Sequence, residues 1–199
     1  MSRKFAIAAV LALALGPAQS RADPPEQAPS AWTLDSLMAG LQQVKSASAH
    51  FVERKEMAML TRALESTGTL SYVAPDRLEK ITLTPAPETV TLNGETLSGV
   101  QANGEHYTVS LSERPEVATL VEGVRSTLAG DLPTLRRYYT VDFKGNHDDW
   151  ELDLTPKNER VRDKVEAIRI KGAELVLKTI DIDERDGDRS RMTIIPDRP

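Results

Sequence analysis

Histidine and carboxylate side chains are the residues of this sequence best suited to metal binding, and their spacing supports no metal site. The chain has no cysteine, and His50, His106 and His147 lie far from one another with no metal-ligand spacing. The acidic run 183–188 lacks oxygen ligands at alternate positions, and Ile194 stands where a calcium loop places its closing glutamate. We therefore predict no metal and no cofactor.

Enzymatic chemistry has equally little support in the sequence. There is no Gly-x-Ser-x-Gly motif and no glycine-rich phosphate loop. The many Asp and Glu residues fall mostly at turns and outward strand positions, where solvation is their usual role. We predict that the protein is not an enzyme. A carboxylate pair inside a cavity is the enzymatic alternative, and convergent polar groups in a pocket would distinguish it.

The N-terminus has the layout of a secretory signal peptide. Two basic residues precede an unbroken apolar run from Phe5 to Leu15, and small residues follow. A membrane anchor is the weaker interpretation, because the run has about half of the roughly 20 apolar residues that a spanning helix needs. We predict a signal peptide at residues 1–22, cleaved after Ala22 or alternatively after Ser20, and a periplasmic location.

Cysteine content and charge restrict the class of protein further. Without cysteine the chain has no site for lipid attachment after its signal and no disulfides, so its stability rests on its own core. The net charge is −5, and removal of the basic leader makes it more negative. This charge argues against nucleic acid and against tight binding to anionic lipid headgroups. We expect a monomer.

Hydrophobic periodicity predicts one mainly β domain at residues 31–199, after a proline-rich, disordered lead-in at 23–30. Helical spacing predicts helices at about 34–44, 115–129 and 132–137. Elsewhere the period is two, and Asn-Gly pairs mark hairpin turns. The predicted strands lie at about 47–57, 65–73, 77–83, 88–92, 96–100, 106–111, 139–145, 150–155, 164–171, 174–183 and 189–195.

These elements predict a single curved antiparallel sheet covered by two or three helices, because so many strands curl strongly and amphipathic helices must bury one face. The helix at 115–129 would cover the concave side with an apolar stripe consisting of Val117, Leu120, Val121, Val124 and Leu128. The side chains that we expect to face the interior are Phe51, Leu70, Tyr72, Leu78, Tyr107, Leu120, Val121, Val124, Trp150, Leu152 and Leu154. Periodicity alone favours an ordinary solid core for them, since apolar inward positions are universal.

Three segments, in order along the chain, resemble the outer-membrane lipoprotein carrier family, LolA. The first is residues 46–83, with a phenylalanine strand (His50-Phe51-Val52-Glu53-Arg54), a Gly-x-Leu strand (Gly68-Thr69-Leu70-Ser71-Tyr72) and a turn at Pro75. The second is Trp150-Glu151-Leu152-Asp153-Leu154-Thr155-Pro156, and the third is the final hairpin at 174–195. Each motif is weakly specific, but their order is more so.

The resemblance implies an unclosed β-barrel of about eleven strands, with helices forming a lid over an apolar cavity that accepts acyl chains. It implies a periplasmic carrier that shelters the acyl chains of a lipoprotein, or of another lipid or glycolipid, between an inner-membrane donor and an outer-membrane acceptor. A periplasmic regulatory module that senses lipoproteins or lipids is the alternative.

The sequence departs from the family's pattern next to the turn proline. Lipoprotein carriers usually have a basic residue there, which hydrogen-bonds to the lid, whereas this chain has Ala74. Bulky aromatic residues often follow the turn, and here Leu78 and Lys80 stand nearby. We therefore expect a divergent relative whose cargo is a lipoprotein, a glycolipid or a lipid-linked pigment. We also expect a lid that is less firmly latched, because Arg77 should lie on the opposite face from position 74.

Overall fold

A computed structural model describes residues 32–197, so the predicted signal peptide and lead-in lie outside the described residues. The strands are β1 (Ser46–Glu56), β2 (Leu64–Val73), β3 (Arg77–Thr84), β4 (Glu88–Asn93), β5 (Thr96–Val100), β6 (His106–Ser110), β7 (Tyr139–Gly145), β8 (Trp150–Pro156), β9 (Val165–Ala173), β10 (Val176–Glu184) and β11 (Arg189–Pro196). The helices are α1 (Leu34–Leu41), α2 (Pro115–Leu128), α3 (Leu132–Tyr138) and α4 (Glu159–Arg162), with a 3₁₀ turn at Leu111–Glu113.

All eleven strands belong to one antiparallel sheet, in the order β6-β5-β4-β3-β2-β1-β11-β10-β9-β8-β7. The two ends of that order, β6 and β7, are not paired with each other, so the barrel is unclosed. The predicted fold class is therefore confirmed. The first and last strands of the described residues, β1 and β11, lie side by side at the centre of the sheet, with Phe51 opposite Ile194.

The elements differ from their predicted positions in two places. Helix α1 ends at Leu41 rather than near Val44, because the next residues form tighter turns in which Val44 N–H donates to the Leu41 carbonyl. Helix α4 was not predicted, since a four-residue helix is too short to show a helical period. It starts at Glu159, and the side chain of the preceding Asn158 caps it by accepting from the Val161 N–H.

Buried and exposed side chains alternate along the strands, and the buried ones lie on the face that the helices cover. We call this the inner face. In β8 the inner residues Trp150, Leu152 and Leu154 are at most 1% exposed, whereas Glu151 and Asp153 point outwards. Helices α1, α3 and α4 cover this part of the sheet. Its core consists of Leu37, Met38, Leu41, Leu132, Leu135, Tyr139, Trp150, Leu152, Leu154, Val161, Val165, Ile168, Ile170 and Leu177.

The other half of the inner face has a much smaller core. It contains three buried residues, Leu92 on β4, Leu111 in the 3₁₀ turn and Ala118 on α2. The side chains of Val117 and Val121 on α2 pack against this core but are only partly buried. Since burial of apolar area is the main stabilising term, α2 is held to the sheet less strongly than α1 and α3 are.

Helix α2 does not bury the face that its apolar residues predicted. Its fully buried residues are small or polar, namely Ala118, Thr119, Glu122, Gly123, Ser126 and Thr127. The predicted stripe is only partly buried, and Leu120 is 38% exposed. The difference arises because small residues let α2 approach Tyr139 closely, and a Cβ atom on Gly123 would lie 3.0 Å from the Tyr139 hydroxyl. Hydrophobic periodicity detects only large apolar side chains, so it does not predict a buried face made of small and polar residues.

Candidate functional site

The predicted interior residues on the sheet all project from the inner face. Strand register places Tyr72 opposite Leu78, and Leu78 in turn opposite Leu92 of the smaller core. Across the centre of the sheet, Leu152 lies in one row with Ile170, Ile180, Met192 and Glu53. The eight candidates from the strands, Phe51, Leu70, Tyr72, Leu78, Tyr107, Trp150, Leu152 and Leu154, therefore share one surface.

Burial divides these candidates into two groups. Trp150, Leu152 and Leu154 are part of the large core under α1 and α3. Leu70, Leu78 and Tyr107 are only half-buried, as are Val121 and Val124 on α2, whereas Phe51 and Tyr72 are almost fully buried. The half-buried residues lie on the side of the sheet that α2 covers.

The phenol of Tyr72 is buried among these residues without a hydrogen-bond partner in residues 32–197. The side chain is 3% exposed. Burial, with a smaller contribution from the charge of Asp76, raises the pKa of Tyr72, so the group is a neutral donor at physiological pH. An unsatisfied buried hydroxyl costs about 1–3 kcal/mol. The inner face therefore holds a buried hydroxyl that has no acceptor among residues 32–197.

Arg125 joins α2 to the turn between β4 and β5. Its guanidinium donates to the Gly94 carbonyl at 2.5 Å, to the Glu95 carboxylate at 3.3 Å and to the carboxylate of Glu122 on its own helix. Glu122 also accepts from the Ser126 hydroxyl at 2.8 Å. We call Arg125, Gly94, Glu95 and Glu122 the Arg125 clamp. These charge-assisted bonds hold one edge of α2 to the sheet.

A second attachment joins α2 to Tyr139, where α3 ends and β7 begins. The Tyr139 hydroxyl donates to the Thr119 carbonyl at 2.6 Å, in a buried position. Burial, and then the charge of Glu122, raises the pKa of Tyr139 well above its usual range, so this bond persists at all physiological pH values. Helix α2 therefore has two polar attachments, the buried Tyr139–Thr119 bond and the Arg125 clamp.

The absence of a basic residue at Ala74 predicted a weakly latched lid, but the Arg125 clamp provides a different polar attachment for α2. Arg77 lies exposed on the outer face, as strand alternation predicted, and does not replace the missing basic residue. The donor is instead on the helix and the acceptor is a backbone carbonyl of the sheet. Sequence patterns did not reveal this pair, because a backbone carbonyl has no residue type that would indicate it.

A second set of charges lies on the inner face, between apolar side chains. The Lys80 ammonium is 2.5 Å from a Glu53 carboxylate oxygen and 4.9 Å from the centre of the Phe51 ring. The Ser190 hydroxyl donates to the other Glu53 oxygen at 2.8 Å. Burial alone would raise the pKa of Glu53, but the hydrogen bonds and charge of Lys80, together with Ser190, hold it below its usual value. Strand alternation already places Glu53 on the same face as Phe51, so a charged residue at an inward position was the signal for this pair.

The outer face carries two polar clefts, of about 380 and 390 Å³. Both are lined by charged side chains and share Arg169, Asp183 and Arg189. In the first cleft Arg191 makes a two-pronged ion pair with Asp181, at 2.7 and 3.1 Å. Such surfaces have no affinity for hydrocarbon, so they are not candidates for the predicted apolar site.

Between residues 32 and 197, no group of three or more histidine or acidic side chains is arranged to hold a metal ion. None of the helices in that range has the length and apolar character needed to cross a membrane.

The fold and the site define a class of binding protein, an unclosed β-barrel whose apolar inner face is covered by helices. The chain belongs to the family described as outer membrane lipoprotein carrier protein LolA-like, whose model matches residues 26–196. This family consists of binding and carrier proteins and not of enzymes. The suspected resemblance is thereby confirmed. No curated protein sequence matches the chain significantly.

Several solved structures have a similar fold. The LolA superfamily protein NE2245 from Nitrosomonas europaea is 12% identical with a TM-score of 0.45, covering 85% of this chain and 96% of that one. A putative outer membrane lipoprotein-sorting protein domain from Vibrio parahaemolyticus is 9% identical with a TM-score of 0.47, covering 81% and 88%. The Pseudomonas aeruginosa MucA/MucB complex is 11% identical with a TM-score of 0.41, covering 81% and 55%. Likenesses at this level support no functional assignment.

The unpartnered Tyr72 hydroxyl leads to a prediction about stability. Tyr72→Phe should raise the free energy of unfolding by about 1 kcal/mol, because it removes a buried donor that has no acceptor. Urea unfolding followed by circular dichroism measures the change. Tyr107→Phe is the matched control, since that phenol is half-buried and within 3.5 Å of a Glu88 oxygen. A loss of stability in Tyr72→Phe would show that the hydroxyl is satisfied after all.

The Arg125 clamp leads to a prediction about access to the inner face. Arg125→Met combined with Glu122→Gln removes the clamp without leaving a buried charge uncompensated. Loss of a charge-assisted hydrogen bond, about 1.5–3 kcal/mol, should increase binding of an environment-sensitive apolar dye roughly ten- to a hundredfold. Arg54→Met on the outer face is the control. Unchanged dye affinity in a folded double variant would mean that access is controlled elsewhere.

Proposed function

We propose that the protein is a periplasmic carrier that shelters the acyl chains of a lipidated cargo on its inner face. The cargo is a lipoprotein or another lipid or glycolipid, received from an inner-membrane donor and passed to an outer-membrane acceptor. The observation that carries the proposal is the incompletely buried apolar stripe of α2, of which Val117 and Val121 pack against the smaller core, in a chain of the LolA-like family. The layout of the N-terminus as a signal peptide supports the periplasmic location.

The unequal cores indicate where a cavity would form. The larger core has fourteen buried residues under α1, α3 and α4, and the smaller one has three under α2. Separating α2 from β4 and β5 therefore exposes the inner face at a lower cost than displacing the other helices. The cavity in this proposal lies between the stripe of α2 and the inner residues Leu70, Leu78 and Tyr107.

The magnitudes are consistent with opening driven by cargo. Burial of a sixteen-carbon acyl chain contributes on the order of 12 kcal/mol, at about 0.8 kcal/mol per CH₂ group. Breaking the charge-assisted bonds of the Arg125 clamp costs about 1.5–3 kcal/mol each. The buried bond between Tyr139 and Thr119 can persist while the clamp opens, so α2 would swing about its attached side. Release of the cargo requires closure of α2 or a competing acceptor.

Leu120 provides the test, because it belongs to the stripe and is exposed enough to substitute without unfolding the protein. Leu120→Glu should lower the affinity for a fluorescent sixteen-carbon fatty acid analogue at least about tenfold, since a carboxylate beside hydrocarbon is strongly unfavourable. Titration of the purified protein, without residues 1–22, measures the affinity.

Leu83→Glu is the matched control, because Leu83 is 57% exposed on the outer face of β3. This variant should bind the analogue as the unmodified protein does. Equal affinity of the Leu120→Glu and Leu83→Glu variants would contradict a cavity under α2. Mass spectrometry of lipid that co-purifies from the periplasm would then identify the cargo class.

A further inference from the structure

The inner face changes from apolar to charged along the direction of the central strands. On β1 the inner residues run from Ala49 and Phe51, which are buried, to Glu53 and then Lys55. A charged pair among apolar side chains loses part of its hydration, and here the side chains remain 32% (Lys80) and 21% (Glu53) exposed. The pair therefore stands at the border between the apolar surface and water.

The surroundings of Lys80 suit the part of an amphiphile where the head group joins the chain, because they place a charge beside apolar side chains. On the neighbouring strands it lies between Leu70 and Val90, both apolar. Its ammonium lies over the Phe51 ring, and Gly68 makes room for that ring, since a Cβ atom there would lie 2.8 Å from it. Apolar side chains thus flank the methylene groups of Lys80, while its ammonium lies at the border with the polar region.

The pair with Glu53 is built so that it can be exchanged. The Lys80 side chain is 32% exposed, and the ammonium has three donors of which Glu53 takes one. Glu53 keeps its bond from Ser190 if Lys80 turns away. The Glu53 carboxylate therefore occupies, in the absence of a ligand, the place of another anionic group beside the ammonium.

We propose that Lys80 is a head-group site, and that the preferred ligands are amphiphiles with a carboxylate or phosphate next to the acyl chain. The anionic group replaces Glu53 on the Lys80 ammonium, and the chain runs over Phe51 and Leu70 beneath α2. This inference rests on the proposed function, since it places the head group of the chain that α2 covers. The negative net charge of the protein disfavours anions at its surface, so the preference is local to Lys80.

The experiment compares dodecanoate, dodecyl phosphate and 1-dodecanol, each displacing an apolar dye from the protein without residues 1–22. Lys80→Met should weaken binding of both anions about tenfold or more, by loss of a charge-assisted bond, and leave the alcohol unchanged. Glu53→Gln should strengthen binding of the anions severalfold, because the internal competitor loses its charge. The variant with both substitutions removes the two charges together and should bind all three ligands alike.

Lys171→Met and Glu151→Gln are matched controls, because they alter an ion pair of 2.6 Å on the outer face. The outcomes separate the two proposals. Equal binding of all three ligands, unaffected by Lys80→Met or Glu53→Gln, overturns the head-group site and leaves the acyl carrier intact. If none of the three ligands binds, both the head-group site and the acyl-carrier function are overturned. A preference for only one of the two anions retains the site and identifies its chemistry as carboxylate or phosphate.

Discussion

An antiparallel sheet that does not close into a barrel leaves an apolar face that the chain must cover with other elements, and most features of this structure follow from that constraint. On the side of β7 to β10, α1 and α3 cover the face with a dense core that includes Leu135 and Trp150. On the side of β3 to β5 the cover is α2, which is attached through polar contacts as much as through apolar ones. In the proposed function, this asymmetry separates a stable scaffold from a cover that moves.

Polar contacts are suited to a movable cover because they are directional and can be exchanged. The Arg125 clamp ends on the Gly94 carbonyl in a turn, where water can replace the guanidinium when α2 moves. The Tyr139–Thr119 bond is buried and has no such replacement, so in the proposed opening it stays in place. A lid that is opened by burial of hydrocarbon needs no catalytic group, in agreement with membership of a family of binding and carrier proteins.

The sequence was sufficient to predict the sheet but not the contacts of the helices. Alternation in β8, with Trp150 and Leu152 inward and Glu151 outward, is a direct consequence of the pleat and needs no tertiary information. The packing of α2 depends on Gly123, whose lack of a side chain matters only because Tyr139 lies against it. The Arg125 clamp depends on a backbone carbonyl brought near by the β4–β5 turn. Glu53 and Lys80 were accessible to sequence reasoning, as charged residues at inward positions of otherwise apolar strands.

The most direct test of this account is a distance across the Arg125 clamp, measured in the presence and absence of ligand. The chain has no cysteine, so spin labels can be attached to Ala129→Cys after α2 and Asn93→Cys on β4 without removing native thiols. A second pair, Arg136→Cys on α3 and Thr155→Cys on β8, reports on the scaffold. The account predicts a longer distance for the first pair when dodecanoate saturates the protein, and no change for the second. An unchanged first distance with ligand bound would contradict opening at α2.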